Sequence, residues 1–260
     1  MSNQELDIEL QNWLAAGEEP QLWWRDDDAI SVTPQLKHLT RLANSANIEI
    51  LLAVIPAYAN EDLAAYVEQC LNLKPCIHGW SHTNHAPTSE KKCELGAHRD
   101  LNAVLADIVR GYQRLDELFG KVLLPVLVPP WNRMRDDLAD RLCEVGIDAF
   151  STYAHQRSVP EIQVNTHVDV MDWKAPGGAT GKSPDTVQFE LASALSVSRA
   201  NGFYPIGMLS HHLVHDETAW ATLSAIVAHP DLKWISFQQA LAHPSTTSLS
   251  TPASVDLRFR

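Results

Sequence analysis

Two kinds of apolar stretch alternate along the chain. Some are short and nearly continuous; others recur every three or four residues. Leu6, Leu10, Trp13 and Leu14 have the spacing of one helix face over about 4–16. Gln21-Leu22-Trp23-Trp24 then reads as a short strand ending at an acidic cluster. Thr33-Pro34 opens a helix through about Ala46, with Leu36, Leu39, Leu42 and Ala43 on one face. Ile48 to Ile55 is almost unbroken apolar sequence, a buried strand stopped by Pro56. The alternation continues with a helix over 60–72, a strand at 75–78, a polar loop over roughly 83–97 and a helix over about 98–119 closed by Gly120. Val122 to Val128 predicts a further buried strand, Asp136 to Val145 a helix, Ala149 to Tyr153 a strand, and Val164 to Trp173 contains another. Gly177, Gly178 and Gly181 mark a loop, followed by a helix over 185–200, a strand at 205–210, a helix over 216–228 and a last strand at 233–237.

This order predicts an α/β fold with a mainly parallel sheet, built as one domain over 1–243. The Ser-, Thr- and Pro-rich residues 244–260 read as a loosely held tail. In parallel α/β folds, sites assemble at the carboxyl ends of strands, and the polar clusters here follow strand ends. The first is Arg25-Asp26-Asp27-Asp28. Adjacent carboxylates repel, and burial penalises their ionised form, so a metal and a protonation partner would relieve the cost. The second is His78-Gly79-Trp80-Ser81-His82, where two histidines four apart can grip one divalent metal. His211 and His215, also four apart and next to Asp216, form an alternative pair. Trp23 and Trp24 read as core, and Lys91, Lys92 and Glu94 as a solvated loop. His38, His98, His155, His167, His229 and His243 read as surface or satisfied core residues.

Composition narrows the partners. Of 260 residues, 45% are hydrophobic and 20% charged, which is ordinary for a globular chain. A net charge of −12 and a pI near 5.4 argue against nucleic acid. Cys70, Cys76, Cys93 and Cys143 lack Cys-x-x-Cys spacing and suit a reducing compartment. The polar, acidic first residues do not form a signal peptide, and no apolar run approaches membrane-spanning length, so a cytoplasmic location is expected. The expected partner is a small-molecule or oligosaccharide substrate, with neither nucleic acid nor membrane; a homo-oligomer is left open.

In this order the clusters resemble the motifs of the polysaccharide deacetylase superfamily, the NodB-homology fold of carbohydrate esterase family 4. Arg25-Asp26-Asp27-Asp28 is similar to the first motif, Thr-Phe-Asp-Asp, and His78 to His82 to the second. Val128-Pro129-Pro130-Trp131 matches part of the third, Asp169-Val170-Met171-Asp172-Trp173 the fourth, and Leu209-Ser210-His211 the fifth. The resemblance implies a single-domain, distorted, seven-stranded-type (β/α) barrel. It implies a metal held by Asp28, His78 and His82, with Asp27 as general base and His211 as the acid for the leaving nitrogen. Asp172, or alternatively Asp169, would orient His211. Trp131, Trp80, Arg133 and Arg25 are the candidates around substrate and oxyanion. Two imidazoles and a carboxylate suit Zn²⁺, with Co²⁺, Mn²⁺ or Ni²⁺ as alternatives.

The chain departs from the pattern at two places. Ala29 follows the Asp run where the family has Gly, and Val128 stands where the family has the arginine that steadies the catalytic aspartate. Arg25 or Arg133 would have to substitute, and a second register, with Asp26 as base and Asp27 as ligand, stays open. The expected activity is metal-dependent hydrolysis of an acyl group, N-acetyl in particular, from an amino sugar or oligosaccharide. Hydrolysis of non-sugar amide bonds on the same scaffold, or an inactive carbohydrate-binding protein, are the alternatives.

Overall fold

The structure, a computed structural model, describes residues 3–154 and 162–245. It opens with helix α1 (Asn3–Ala15), which buries Leu6, Leu10 and Trp13 and leaves Leu14 exposed. Strand β1 (Gln21–Ala29) follows and runs straight through the acidic cluster instead of stopping at it. Helix α2 (Pro34–Ser45) begins on Thr33, whose side chain accepts the Leu36 N–H, with Pro34 in the first turn. Strand β2 (Ile50–Val54), helix α3 (Glu61–Gln69), strand β3 (Leu73–Ile77) and the long helix α4 (Leu101–Phe119) come next. Four short strands follow: β4 (Val126–Leu127), β5 (Ala149–Phe150), β6 (Ile162–Gln163) and β7 (Thr166–Asp169). Strands β8 (Met171–Asp172) and β9 (Thr180–Gly181) form an antiparallel hairpin around the glycine loop. Helix α5 (Pro184–Ala200), strand β10 (Ile206–Ser210), helix α6 (Glu217–Val227), strand β11 (Lys233–Trp234) and helix α7 (Phe237–Leu241) complete the order.

The main sheet runs β6-β5-β4-β3-β2-β1-β10-β7, every pairing parallel, with β11 beside the start of β1. It curls on itself. Tyr153, just beyond β5, bridges to Thr166 in β7, and the Ala154 N–H donates to the Thr166 carbonyl at 2.7 Å. The ring among the described residues is thus β1-β2-β3-β4-β5-β7-β10, a distorted (β/α) barrel of the NodB type. Side chains alternate between its two faces. Trp23, Leu51, Ala53, Cys76, Val126, Val128, Ala149 and Val164 fill the interior. Leu22, Trp24, Ile50, Leu52 and Val54 pack outward against the helices. Both tryptophans are fully buried, as a core reading of them requires. No helix among the described residues is long and apolar enough to cross a membrane.

Several elements differ from expectation. The Val122–Val128 strand shrinks to Val126–Leu127, preceded by a 3-10 turn at Gly120–Val122; Pro125 has no N–H to offer a ladder. The segment Asp136–Val145 is 3-10 rather than α-helical. The last strand ends at Trp234, because Ser236 and Gln239 form a reciprocal capping box that starts α7. At the tail, the Ser245 hydroxyl donates to the Gly202 carbonyl, so the segment is held at its start; residues 246–260 lie outside the described residues. His155 lies outside them too.

Strand β10 passes close against Trp23. A Cβ on Gly207 would lie 2.6 Å from the Asn165 carbonyl oxygen and 2.7 Å from the Trp23 ring. Gly207→Ala is expected to destabilise the protein by about 1–3 kcal/mol in urea denaturation. An unchanged midpoint would mean that this contact is looser than described.

Candidate metal centre

The three adjacent aspartates go to three different environments. Arg25 and Asp27 are two apart on β1, so they share a face. Arg25 is fully buried, and its guanidinium grips Asp27 with Nη2 at 3.0 Å from Oδ2 and Nε at 2.9 Å from Oδ1. It also donates to Ser151 Oγ at 2.8 Å, the Thr152 carbonyl at 3.2 Å and Asn132 Oδ1 at 2.6 Å. One arginine therefore ties β1 to the loop after β4 and to the chain after β5. Asp26 points the other way. Its carboxylate accepts the Ser210 hydroxyl at 2.5 Å and the His212 N–H at 3.1 Å, and it pairs with His212 Nδ1. Burial alone would raise the Asp26 carboxyl, but the His212 imidazole holds it below its ordinary value. With Asp26 engaged on the outer face, the register that makes it the base loses its geometry.

Asp28 turns toward the histidines. Its Oδ1 lies 3.1 Å from His78 Nε2 and 3.3 Å from His82 Nε2, and the three ligand atoms all fall within 4.8 Å of one another. The far nitrogen of His78, Nδ1, sits 2.9 Å from the Val128 carbonyl. The contact to the Val128 carbonyl orients the ring so that Nε2 faces Asp28, the nitrogen that a ligating histidine would offer to a metal. Burial works to raise the Asp28 carboxyl, yet the hydrogen bond and charge of His78 hold it far below the usual range. Two imidazole nitrogens and one carboxylate oxygen at this spacing fit a divalent transition ion. Among the described residues it is the one such cluster of three ligating groups.

The backbone there is strained. Asp28, His82, Trp131 and Asn132 all have positive φ, at 72, 55, 57 and 58°. Non-glycine residues rarely adopt that region, and such positions gather at functional sites.

His211 and His215 do not make a second ligand pair. His215 Nε2 accepts the His211 N–H at 3.2 Å, and burial pushes the His215 imidazole down to about 4. His211 instead faces Asp27, with Nε2 3.9 Å from Oδ2 and the Trp173 ring edge-on at 4.6 Å. The carboxylate that bears on His211 is Asp169, not Asp172. Asp169 is buried, accepts the Met171 N–H at 2.9 Å and the Trp173 indole at 2.7 Å, and its carboxyl is raised by burial against the opposing charge of His211. Asp172 sits in the β8–β9 hairpin and accepts the Lys174 N–H at 2.9 Å.

Trp131 is half-buried, with its ring 4.2 Å from His82. One face of Trp80 is covered by the Arg110 guanidinium at 3.8 Å, which leaves less of it for a substrate. Arg133 donates to the Lys92 carbonyl at 3.0 Å, so Arg25 is the arginine that contacts Asp27. Asn132 and Ser151, which complete the Arg25 cage, carry no sequence signal of their own. Glu94 is fully buried against the histidine loop, contrary to its reading as part of a solvated loop.

No protein-family model matches the sequence, and no curated protein matches it. Solved structures do. A family 4 acetyl xylan esterase from Clostridium thermocellum, in complex with a cobalt ion, is 13% identical, with 89% of this chain and 96% of that one covered at a TM-score of 0.53. The Bc1960 peptidoglycan N-acetylglucosamine deacetylase is 16% identical over 85% of this chain and 88% of its own, at 0.56. A mutant of a CE4-family pseudoenzyme is 12% identical over 86% and 67%, at 0.55. The chain has the NodB-like fold of the polysaccharide deacetylases, and that fold includes a member without activity of its own.

Removing the Arg25 guanidinium would leave Asp27 buried without its counter-charge. Arg25→Met is expected to cost about 3–5 kcal/mol in denaturant unfolding, and Arg133→Met less than about 0.5 kcal/mol. Equal effects would contradict the assignment of Arg25 as the partner of Asp27.

Proposed function

We propose that this chain is a metal-dependent hydrolase that removes an acyl group, N-acetyl in particular, from an amino sugar or oligosaccharide. The observation that carries the reading is the convergence of Asp28, His78 and His82 at ligand spacing, beside a carboxylate held by a buried arginine. Asp28, His78 and His82 would hold the ion. When bound, a divalent metal supplies Lewis acidity toward the acyl oxygen and makes water easier to deprotonate. Zn²⁺ suits the donor set best, with Co²⁺, Mn²⁺ and Ni²⁺ acceptable to it.

The chain's own residues do the rest. Asp27 takes the proton of the attacking water as general base, and Arg25 fixes the direction in which its carboxylate points. The Trp131 N–H, on a backbone already held in the left-handed region, is our candidate donor to the developing oxyanion. His211 protonates the departing nitrogen, with Trp173, itself hydrogen-bonded to Asp169, packed edge-on against its ring. Trp131 and Trp173 form walls on which a sugar ring can pack. The free cysteines Cys70, Cys76, Cys93 and Cys143 support action in a reducing compartment, on a cytoplasmic small molecule or oligosaccharide.

The test begins with metal content by elemental analysis. About one equivalent of transition metal in the parent, lost in the His78→Ala, His82→Ala double variant, is expected. Acetate release from N-acetylglucosamine oligosaccharides should then follow metal loading and disappear with a chelator. Asp27→Asn should retain its metal and lose about 10²–10⁴-fold in kcat. Metal retained equally by the double variant, or an undiminished rate in Asp27→Asn, would refute the reading.

A further inference from the structure

The loop that carries His82 is wrapped around a buried negative charge. Glu94 is 0% exposed and lies in the segment after that loop. Its Oε1 accepts the Ser81 N–H at 2.8 Å and the Ser81 hydroxyl at 3.2 Å. Its Oε2 accepts the His82 N–H at 3.1 Å and the Trp80 N–H at 3.4 Å. Successive amides that converge in this way form an anion nest, a concavity that commonly receives a bound anion. Here the chain supplies the anion itself.

The local backbone is fitted to this carboxylate. Gly79 has φ of 60°, and a Cβ there would collide with Glu94 Oε2 and lie 2.6 Å from Pro130 Cγ. His82, with φ of 55°, holds a left-handed conformation that a non-glycine residue rarely adopts. Charge-assisted hydrogen bonds are strong enough to hold it there. Glu94's own segment is pinned on its far side. Leu95 bridges to Met134, the Arg135 N–H donates to the Leu95 carbonyl at 2.9 Å, and Arg133 donates to the Lys92 carbonyl at 3.0 Å. The segment thereby stands between the histidine loop and the loop that carries Trp131.

We infer that Glu94 is a positioning residue of the metal centre, which presets His82 beside Asp28 and His78 before any ion arrives and fixes that loop to the Trp131 loop. The inference rests on the metal reading above, in which Asp28, His78 and His82 are the ligands. Among the described residues the hydrogen bonds of Glu94 go to backbone amides and the Ser81 hydroxyl, so it acts through His82. A carboxylate is required, because amides donate to both of its oxygens. Glutamine has the same shape, but it would set its own NH₂ against at least one of those N–H groups.

The experiment is Zn²⁺ affinity of the full chain, measured by competition with a chromophoric chelator, for wild type, Glu94→Gln and the His78→Ala, His82→Ala double variant. Far-UV circular dichroism of the metal-free forms is recorded alongside. A folded Glu94→Gln variant that binds Zn²⁺ roughly 10–100-fold more weakly than wild type is expected. Equal affinity in wild type and Glu94→Gln would overturn the inference and leave the metal reading intact. No binding by wild type would overturn that reading, and this inference with it. If Glu94→Gln does not fold, amide hydrogen exchange on the metal-free wild type decides. Protection of the Ser81 and His82 amides supports presetting, and exchange at unprotected rates until metal is added overturns it.

Discussion

The constraint on which the site depends is the burial of Arg25 against Asp27. A guanidinium removed from water is tolerated only when its charge and its donors are met. Arg25 meets its charge with the ion pair to Asp27, and its Nη1 and Nη2 donate to Ser151, the Thr152 carbonyl, Asn132 and Asp27. These partners come from three places on the barrel rim, so the cage that satisfies the arginine also draws the rim together. Asp27 is thereby fixed, and its neighbours on β1 are sent elsewhere. Asp26 faces outward and pairs with His212, while Asp28 bends through a positive φ toward His78 and His82. A run of three carboxylates that would be repulsive in one environment becomes workable in three.

Val128 departs from the motif that the sequence resembles. The family pattern places an arginine there, but here Val128 fills the barrel interior and its carbonyl receives His78 Nδ1. The arginine that contacts Asp27 is Arg25, two residues away on the same strand. The histidine loop is treated in the same way from the opposite side, where Glu94 supplies a buried negative charge to a concave run of amides. A positive group in the barrel and a negative group under the loop thus set the two halves of the centre.

Much of the fold was legible because its signals are local. The apolar run of β2, the Thr33-Pro34 start of α2 and the ordered polar clusters at strand ends each carry their own physical cause. The cluster of Asp28, His78 and His82 could be named from spacing and motif order. The rest depends on contacts between distant residues. Strand alternation alone would have paired Arg25 with Asp27, two residues away, but only the folded rim shows that Arg133 is occupied at Lys92. Asp169 and Asp172 are equivalent in a motif and are separated only by the hairpin turn that engages Asp172. Glu94 sits in a charged loop whose composition resembles solvated surface, and nothing local marks it as buried. Helix α7 did have a local signal, the capping pair Ser236 and Gln239, which the apolar residues beside it masked.

The central claim is that Asp28, His78 and His82 hold one divalent ion while Asp27 stands free of it. Anomalous diffraction from crystals grown with Zn²⁺, recorded on both sides of the zinc edge, tests it most directly. The account predicts one dominant anomalous peak, bounded by Asp28 Oδ1 and the Nε2 atoms of His78 and His82. A peak at His211 and His215, or no ordered peak in zinc-loaded crystals, would contradict it.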